Sequence, residues 1–227
     1  MRNRFDLAIF DLDGTLLDSL EDIAQAANHV LVEIGGAARP ISDFRTLVGD
    51  GVRVLFQRAV PETTVNDELR DRCMDLFDRF YGETWHNHSK PYKGIRDLLI
   101  SLDSAGVSLA VLSNKPDPFT QKCVSHFFPE IRFQAVLGHS ERFPRKPDPA
   151  SARWIGESAG ICSDRIAYVG DTNTDMKTAV SAGFFAMGVT WGFRTERELI
   201  ESGADAVYST PSVLLAAIIG RDPLKIV

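Results

Sequence analysis

The chain has 227 residues, enough for one sizeable domain or a domain with a smaller insert. Hydrophobic residues make up 44% and charged residues 25%, the composition of an ordinary soluble globular protein. A net charge of −6 argues against a broad nucleic-acid or anionic-membrane surface, but not against a small anionic substrate, which needs only a few local cations.

The basic start Met1-Arg2-Asn3-Arg4 runs directly into Leu7-Ala8-Ile9-Phe10 and then Asp11, too short and too soon acidic for a signal peptide. No stretch approaches the ~20 apolar residues of a membrane span. Cys73, Cys123 and Cys162 form no CxxC pattern and fit free thiols in a reducing, cytoplasmic setting.

Leu7–Phe10 is predicted as a buried strand. From about Asp18 to Lys90 no clear strand follows. Leu20, Ile23, Ala27, Val30, Leu31 and Ile34 recur at helical spacing, as do Leu69, Cys73, Leu76, Phe77, Phe80 and Tyr81. The segment 18–90 therefore reads as a small helical insert, with Pro91-Tyr92-Lys93-Gly94 marking the return. Beyond it, helices are expected at about 95–105, 118–127, 149–159, 174–182 and 211–219. Between them lie apolar strands at 109–112, 135–137, 166–169 and 184–189, with an edge strand at 206–208. Gly106, Gly160 and Gly183 stand where helix C-terminal caps need glycine. The alternation implies an α/β parallel sheet formed by residues 1–17 and 91–227, interrupted by the helical domain 18–90.

Four features stand at or just beyond strand ends, the edge of a parallel sheet where ligands bind. In Asp11-Leu12-Asp13-Gly14-Thr15-Leu16, two carboxylates follow a buried strand, a costly arrangement unless a cation or hydrogen bonds compensate. One can attack phosphorus while the other handles protons; an acidic turn capping a helix is the competing reading. Ser113-Asn114 can hold phosphate oxygens, or form a plain turn. Lys146, in Arg145-Lys146-Pro147-Asp148-Pro149, can offset clustered carboxylates and phosphate, or be a solvated loop lysine. In Gly170-Asp171-Thr172-Asn173-Thr174-Asp175, Asp171 and Asp175 are hard oxygen ligands suited to Mg²⁺, while Asp171 or Thr172 could equally cap the next helix. Together they supply a nucleophile, an acid/base, a phosphate clamp, a cation and metal ligands, the working set of phosphoryl transfer.

This set and its order resemble the haloacid dehalogenase superfamily, whose phosphatase pattern DxDGTL…[ST]…K…GDxxxD is met by Asp11 to Leu16, Ser113, Lys146 and Gly170 to Asp175. The resemblance spans nearly the whole chain. It implies a Rossmann-like core with a helical cap, and it assigns roles. Asp11 is the expected nucleophile and Asp13 the general acid/base. Mg²⁺ is expected on the carboxylates of Asp11 and Asp171 and the backbone carbonyl of Asp13, with Asp175 supporting the metal. Ser113, Asn114 and Lys146 are expected to hold the phosphoryl group. The dehalogenase branch lacks the second aspartate of the first motif, so Asp13 points to phosphatase chemistry.

Asp18-Ser19-Leu20-Glu21-Asp22-Ile23, Leu47-Val48-Gly49-Asp50-Gly51, Ser113-Asn114-Lys115 and Gly188-Val189-Thr190-Trp191-Gly192-Phe193 look like the phosphoglycolate phosphatase group. The expected substrate is thus a small phosphorylated metabolite, 2-phosphoglycolate first; in Val48-Gly49-Asp50-Gly51-Val52-Arg53, backbone N–H groups or Arg53 can meet its non-phosphate end, and an interhelical turn with a surface arginine is the competing reading. Pyrophosphatases and β-phosphoglucomutases share much of the frame, and a non-catalytic phospho-acceptor module is the alternative from another class. His86-x-His88 reads as an exposed loop rather than a metal site, and Trp154 and Trp191 as packing residues. Nothing in the sequence sets the oligomeric state.

Overall fold

The computed structural model describes residues 3–60 and 66–221. The chain divides into two compact units, one of Met1–Leu17 with Pro91–Val227 and one of Asp18–Lys90.

The first strand, β1 (Leu7–Phe10), is buried at every position, as its unbroken apolar run requires. The chain then passes through β2 (Leu17–Asp18) into four helices: α1 (Leu20–Glu33), α2 (Phe44–Leu47), α3 (Val52–Ala59) and α4 (Asp67–Thr84). Helix α1 buries Leu20, Ile23, Ala27, Val30 and Leu31 along one face. Helix α4 starts at Asn66, whose side chain accepts the Leu69 N–H, and buries Cys73, Phe77 and Tyr81; the rings of Phe77 and Tyr81 stack 5.1 Å apart. Asp22, itself buried, accepts hydrogen bonds from the backbone N–H groups of His88 and Ser89 and from the Ser89 hydroxyl (2.6–3.1 Å). The return strand β3 (Lys90–Pro91) pairs with β2.

The first unit continues through α5 (Ile95–Ser104), β4 (Ser108–Pro116), α6 (Asp117–Phe127), β5 (Ala135–His139), α7 (Ala150–Ala159) and β6 (Ile166–Gly170). It ends with α8 (Asn173–Ala182), β7 (Phe185–Val189), α9 (Glu196–Glu201), β8 (Ala206–Tyr208) and α10 (Pro211–Ile218). The six long strands form one parallel sheet in the order β5-β4-β1-β6-β7-β8. Its core includes Leu7, Ile9, Leu112, Ile155, Tyr168 and Met176. Gly106, Gly160 and Gly183 all take positive φ at the ends of their helices.

Two expectations change. Strand β4 does not end at Leu112 but runs on to Pro116, so Ser113 and Asn114 are strand residues rather than a turn; its register with β5 shifts between Leu112 and Pro116. Helix α9 was not anticipated, although Thr195 and Glu198 form a reciprocal capping box at its start. Among the described residues, no helix is long and apolar enough to cross a membrane.

Candidate active site

The register sets the site. Phe10 lies level with Val111 of β4 and Val169 of β6, so the residues just beyond these three positions lie together at one edge of the sheet. Asp11 still belongs to the ladder through its backbone, its N–H donating to Val169 O (2.9 Å). Its Oδ1 accepts from Leu12 N (2.7 Å) and from Lys146 Nζ (2.8 Å).

After Asp11 the backbone closes a tight loop in which Leu12 O accepts the N–H groups of Leu16 and Leu17 (both 2.9 Å). Gly14 makes this possible with φ +89°, and a Cβ there would stand 2.3 Å from Asp171 Oδ2. Gly192 presses on the same aspartate from another side, its would-be Cβ 2.4 Å from Asp171 Cβ. Asp171 is thereby boxed in. Its Oδ1 accepts from the Thr15 hydroxyl and its Oδ2 from Phe193 N, each at 2.8 Å.

Thr172 caps α8, taking the capping role open to it or Asp171 in the sequence. Asp175 completes a capping box: its Oδ2 accepts from Thr172 N (3.0 Å) and Thr172 Oγ1 (2.6 Å), and its Oδ1 accepts from Lys146 Nζ (2.7 Å). Lys146 therefore bridges Asp11 and Asp175 from full burial. It is not a solvated loop lysine. Asn114 explains how the loop is held: its side-chain amide donates to Lys146 O (3.1 Å) and accepts from Lys146 N (2.7 Å). Ser113 is buried beside it, and its Oγ accepts the Lys115 N–H (3.3 Å).

The charges are mismatched in a way that identifies what is needed. Burial, and then repulsion from Asp175, push Asp11 well above the usual carboxylate range against the pull of Lys146. Burial and Asp175 push Asp171 up to about 7, although Phe193 N–H and the Thr15 hydroxyl hold it down. Burial alone would lower Lys146; Asp11 and Asp175 outweigh it, so the ammonium stays charged. Three buried carboxylates around one ammonium leave two uncompensated negative charges when all are ionised. One oxygen from each of Asp11, Asp171 and Asp175 lies within 4.8 Å of the others, a hard-oxygen set that fits a divalent cation such as Mg²⁺.

The haloacid dehalogenase-like hydrolase family matches residues 8–189. The chain belongs to that family. Phosphoglycolate phosphatase of Vibrio cholerae is 34% identical over 94% of this chain and 96% of its own length. That of Pseudomonas putida is 33% identical over 85% of this chain and 72% of its own. A crystal structure of a candidate phosphoglycolate phosphatase from Lactobacillus delbrueckii superposes with a TM-score of 0.90 at 30% identity, covering 97% of this chain and all of that one. This hydrolase is a phosphatase enzyme, and its substrate is a small phosphorylated compound.

Three neighbours in this hydrolase carry no site role in the sequence reading. Lys115 Nζ meets both carboxylate oxygens of Asp13 (3.1 and 2.9 Å). Trp191, expected only to pack, donates its indole N–H to Thr15 O (3.0 Å) and ties down the first-motif loop. The fully buried phenol of Tyr168 sits in the field of Lys146, and burial keeps it neutral, well above its usual pKa. No local signal marks these partners, because they lie 102 and 176 positions apart for the first two pairs.

Arg53 belongs to the other unit. Its guanidinium pairs there with Asp71 (3.0 Å) and Asp67 (3.4 Å) of α4, while Arg58 pairs with Asp50 (2.6 Å). The backbone N–H of His88 is bound to Asp22, and neither His86 nor His88 joins a metal-ligating cluster among the described residues.

Proposed function

We propose that this hydrolase is a Mg²⁺-dependent phosphatase of 2-phosphoglycolate, releasing glycolate and phosphate through an aspartyl-phosphate on Asp11. The observation that carries the reading is the Asp11–Lys146–Asp175 bridge beside Asp171, with Asp13 two residues from Asp11. The choice of substrate draws on the named activity of the relatives.

An Asp11 carboxylate oxygen attacks phosphorus, and the bond from phosphorus to the ester oxygen breaks. Asp13 gives its proton to the departing alkoxide. Asp13, now ionised, takes a proton from water as that water attacks the phosphorus, and the P–O bond to Asp11 breaks, restoring its carboxylate. Lys146 and the Ser113 hydroxyl and neighbouring N–H groups hold the phosphoryl oxygens; Asn114 acts by fixing the Lys146 backbone. Asp11, Asp171 and the Asp13 backbone carbonyl would hold Mg²⁺, supported by Asp175. The ion supplies positive charge to the phosphoryl group. The helical unit 18–90 serves as a cap that selects substrates, Arg53 being its candidate contact. Free thiols at Cys73, Cys123 and Cys162 accord with a cytoplasmic setting.

Phosphate release should be measured from 2-phosphoglycolate, pyrophosphate and glucose 1-phosphate, with Mg²⁺ and with a chelator. The expected result is Mg²⁺-dependent release, fastest from 2-phosphoglycolate. Preference for pyrophosphate, or transfer within glucose 1-phosphate, would replace the substrate assignment. Absence of metal-dependent release from all three would remove the phosphatase reading.

A further inference from the structure

Lys115 is an expensive residue. Its side chain is 5% exposed, and a buried ammonium is costly without a matched anion. Asp13 provides that anion, with both oxygens in contact at 3.1 and 2.9 Å. The extension of β4 puts the lysine there. Past the register shift with β5, the Thr120 hydroxyl donates to Lys115 O (3.2 Å) and holds the backbone.

The position has a consequence for the leaving group. To protonate the ester oxygen, Asp13 must come within hydrogen-bond reach of it, about 3 Å. The ammonium touches the same carboxylate, so it stands within about 6 Å of that oxygen, the sum of two such contacts. A carboxylate on the carbon next to the ester oxygen falls inside this range without any shift of the core. When Asp13 turns to the ester oxygen, the ammonium gives up part of its counter-charge. An acidic leaving group restores that charge and a neutral one does not, and a site built around a charged contact rejects the analogue lacking it.

We propose that Lys115 is the residue that selects an acidic leaving group, its ammonium pairing with a carboxylate carried next to the ester oxygen. The inference rests on the phosphatase reading and adds which side chain recognises the acid.

The test compares kcat/KM for 2-phosphoglycolate with that for 2-hydroxyethyl phosphate, in which CH₂OH stands in place of the carboxylate. Full-length wild type, Lys115→Met and Lys115→Arg are assayed with Mg²⁺. Lys115→Met should lower the preference for the acidic ester by roughly ten- to a hundred-fold, the worth of a charged hydrogen bond, and Lys115→Arg should restore most of it. If Lys115 only positions Asp13, both esters lose rate equally and the ratio stays put; that outcome overturns the proposal. Should Lys115→Met fail to fold by circular dichroism, the wild-type ratio and that of Lys115→Arg decide. Wild type cleaving both esters without preference overturns the role of Lys115 alone. Wild type cleaving neither, nor any of the three compounds above, removes the phosphatase reading and the inference with it.

Discussion

Asp11 is bound on one side only. Oδ1 receives both Leu12 N–H and Lys146, and among the described residues no hydrogen bond reaches its second oxygen. That leaves one oxygen with its lone pairs available for attack, in a place where ionisation is opposed by burial and by Asp175. Asp11→Asn removes the nucleophile and one of the crowded negative charges together. Phosphate release should fall at least about 10³-fold, while the metal-free protein should melt no lower than wild type. A melt and an assay on the same sample check both halves. Substantial residual turnover, or a large loss of stability, would contradict this account of Asp11. The sequence locates Asp11, Ser113 and Asp171 because each stands just after a buried apolar run, and such runs are readable one at a time, whereas Lys146 stands out by its proline-flanked loop. What each side chain holds is less readable. Asn114 carries a polar amide that suits a phosphate as well as a peptide; only the fold reveals that both ends of the amide go to the Lys146 backbone.

At the scale of elements, α1 is tied to the segment before β3 through the Asp22 carboxylate, with Glu21 beside the His88 ring (3.5 Å). Asp22 collects two backbone N–H groups and one hydroxyl, all within the helical unit. Asp22→Ala would leave those buried donors unpaired and should destabilise that unit by about 3 kcal/mol, read as an earlier transition in urea. Asp22→Asn, which keeps an acceptor, should cost less. Most elements were legible from period and punctuation: the unbroken run of β1, the helical spacing of α1 and α4, the glycines after α5, α7 and α8. The extension of β4 was not, because Ser113-Asn114-Lys115-Pro116 has the composition of a turn. Those residues are held extended by tertiary partners, Lys146 and Asp13. Helix α9 escaped notice because six residues offer barely two turns of periodicity, and only Leu199 is buried.

For the whole molecule, the acidic centre links stability to pH and metal. Asp171 stands at about 7 when folded, raised from 3.8, so the folded chain keeps a proton that the unfolded chain releases. Without metal, this group's contribution is most favourable below about pH 4 and is lost as pH rises through about 7. Mg²⁺ held by the ionised carboxylates would reverse that sign. The rise in melting temperature on adding Mg²⁺ should therefore be larger at about pH 8 than at about pH 5.5. Thermal melts with Mg²⁺ and with a chelator measure it; an increment independent of pH would count against the acidic centre as the metal site.

The sheet order also bears on how the protein is made. Strand β1 lies between β4 and β6, so it pairs with residues 108–111 and 166–169, which are made after it. Until those are synthesised, Leu7-Ala8-Ile9-Phe10 has neither neighbour and remains a sticky apolar segment. The helical unit, continuous over 18–90, has no such wait and can form while the sheet is still missing most of its strands. The nascent chain thus carries Asp11 at the end of a strand with neither neighbour until residues 108–111 are made. The Lys146 that pairs with it, and the Asp171 grouped with it in the acidic cluster, lie 135 and 160 positions further along the chain.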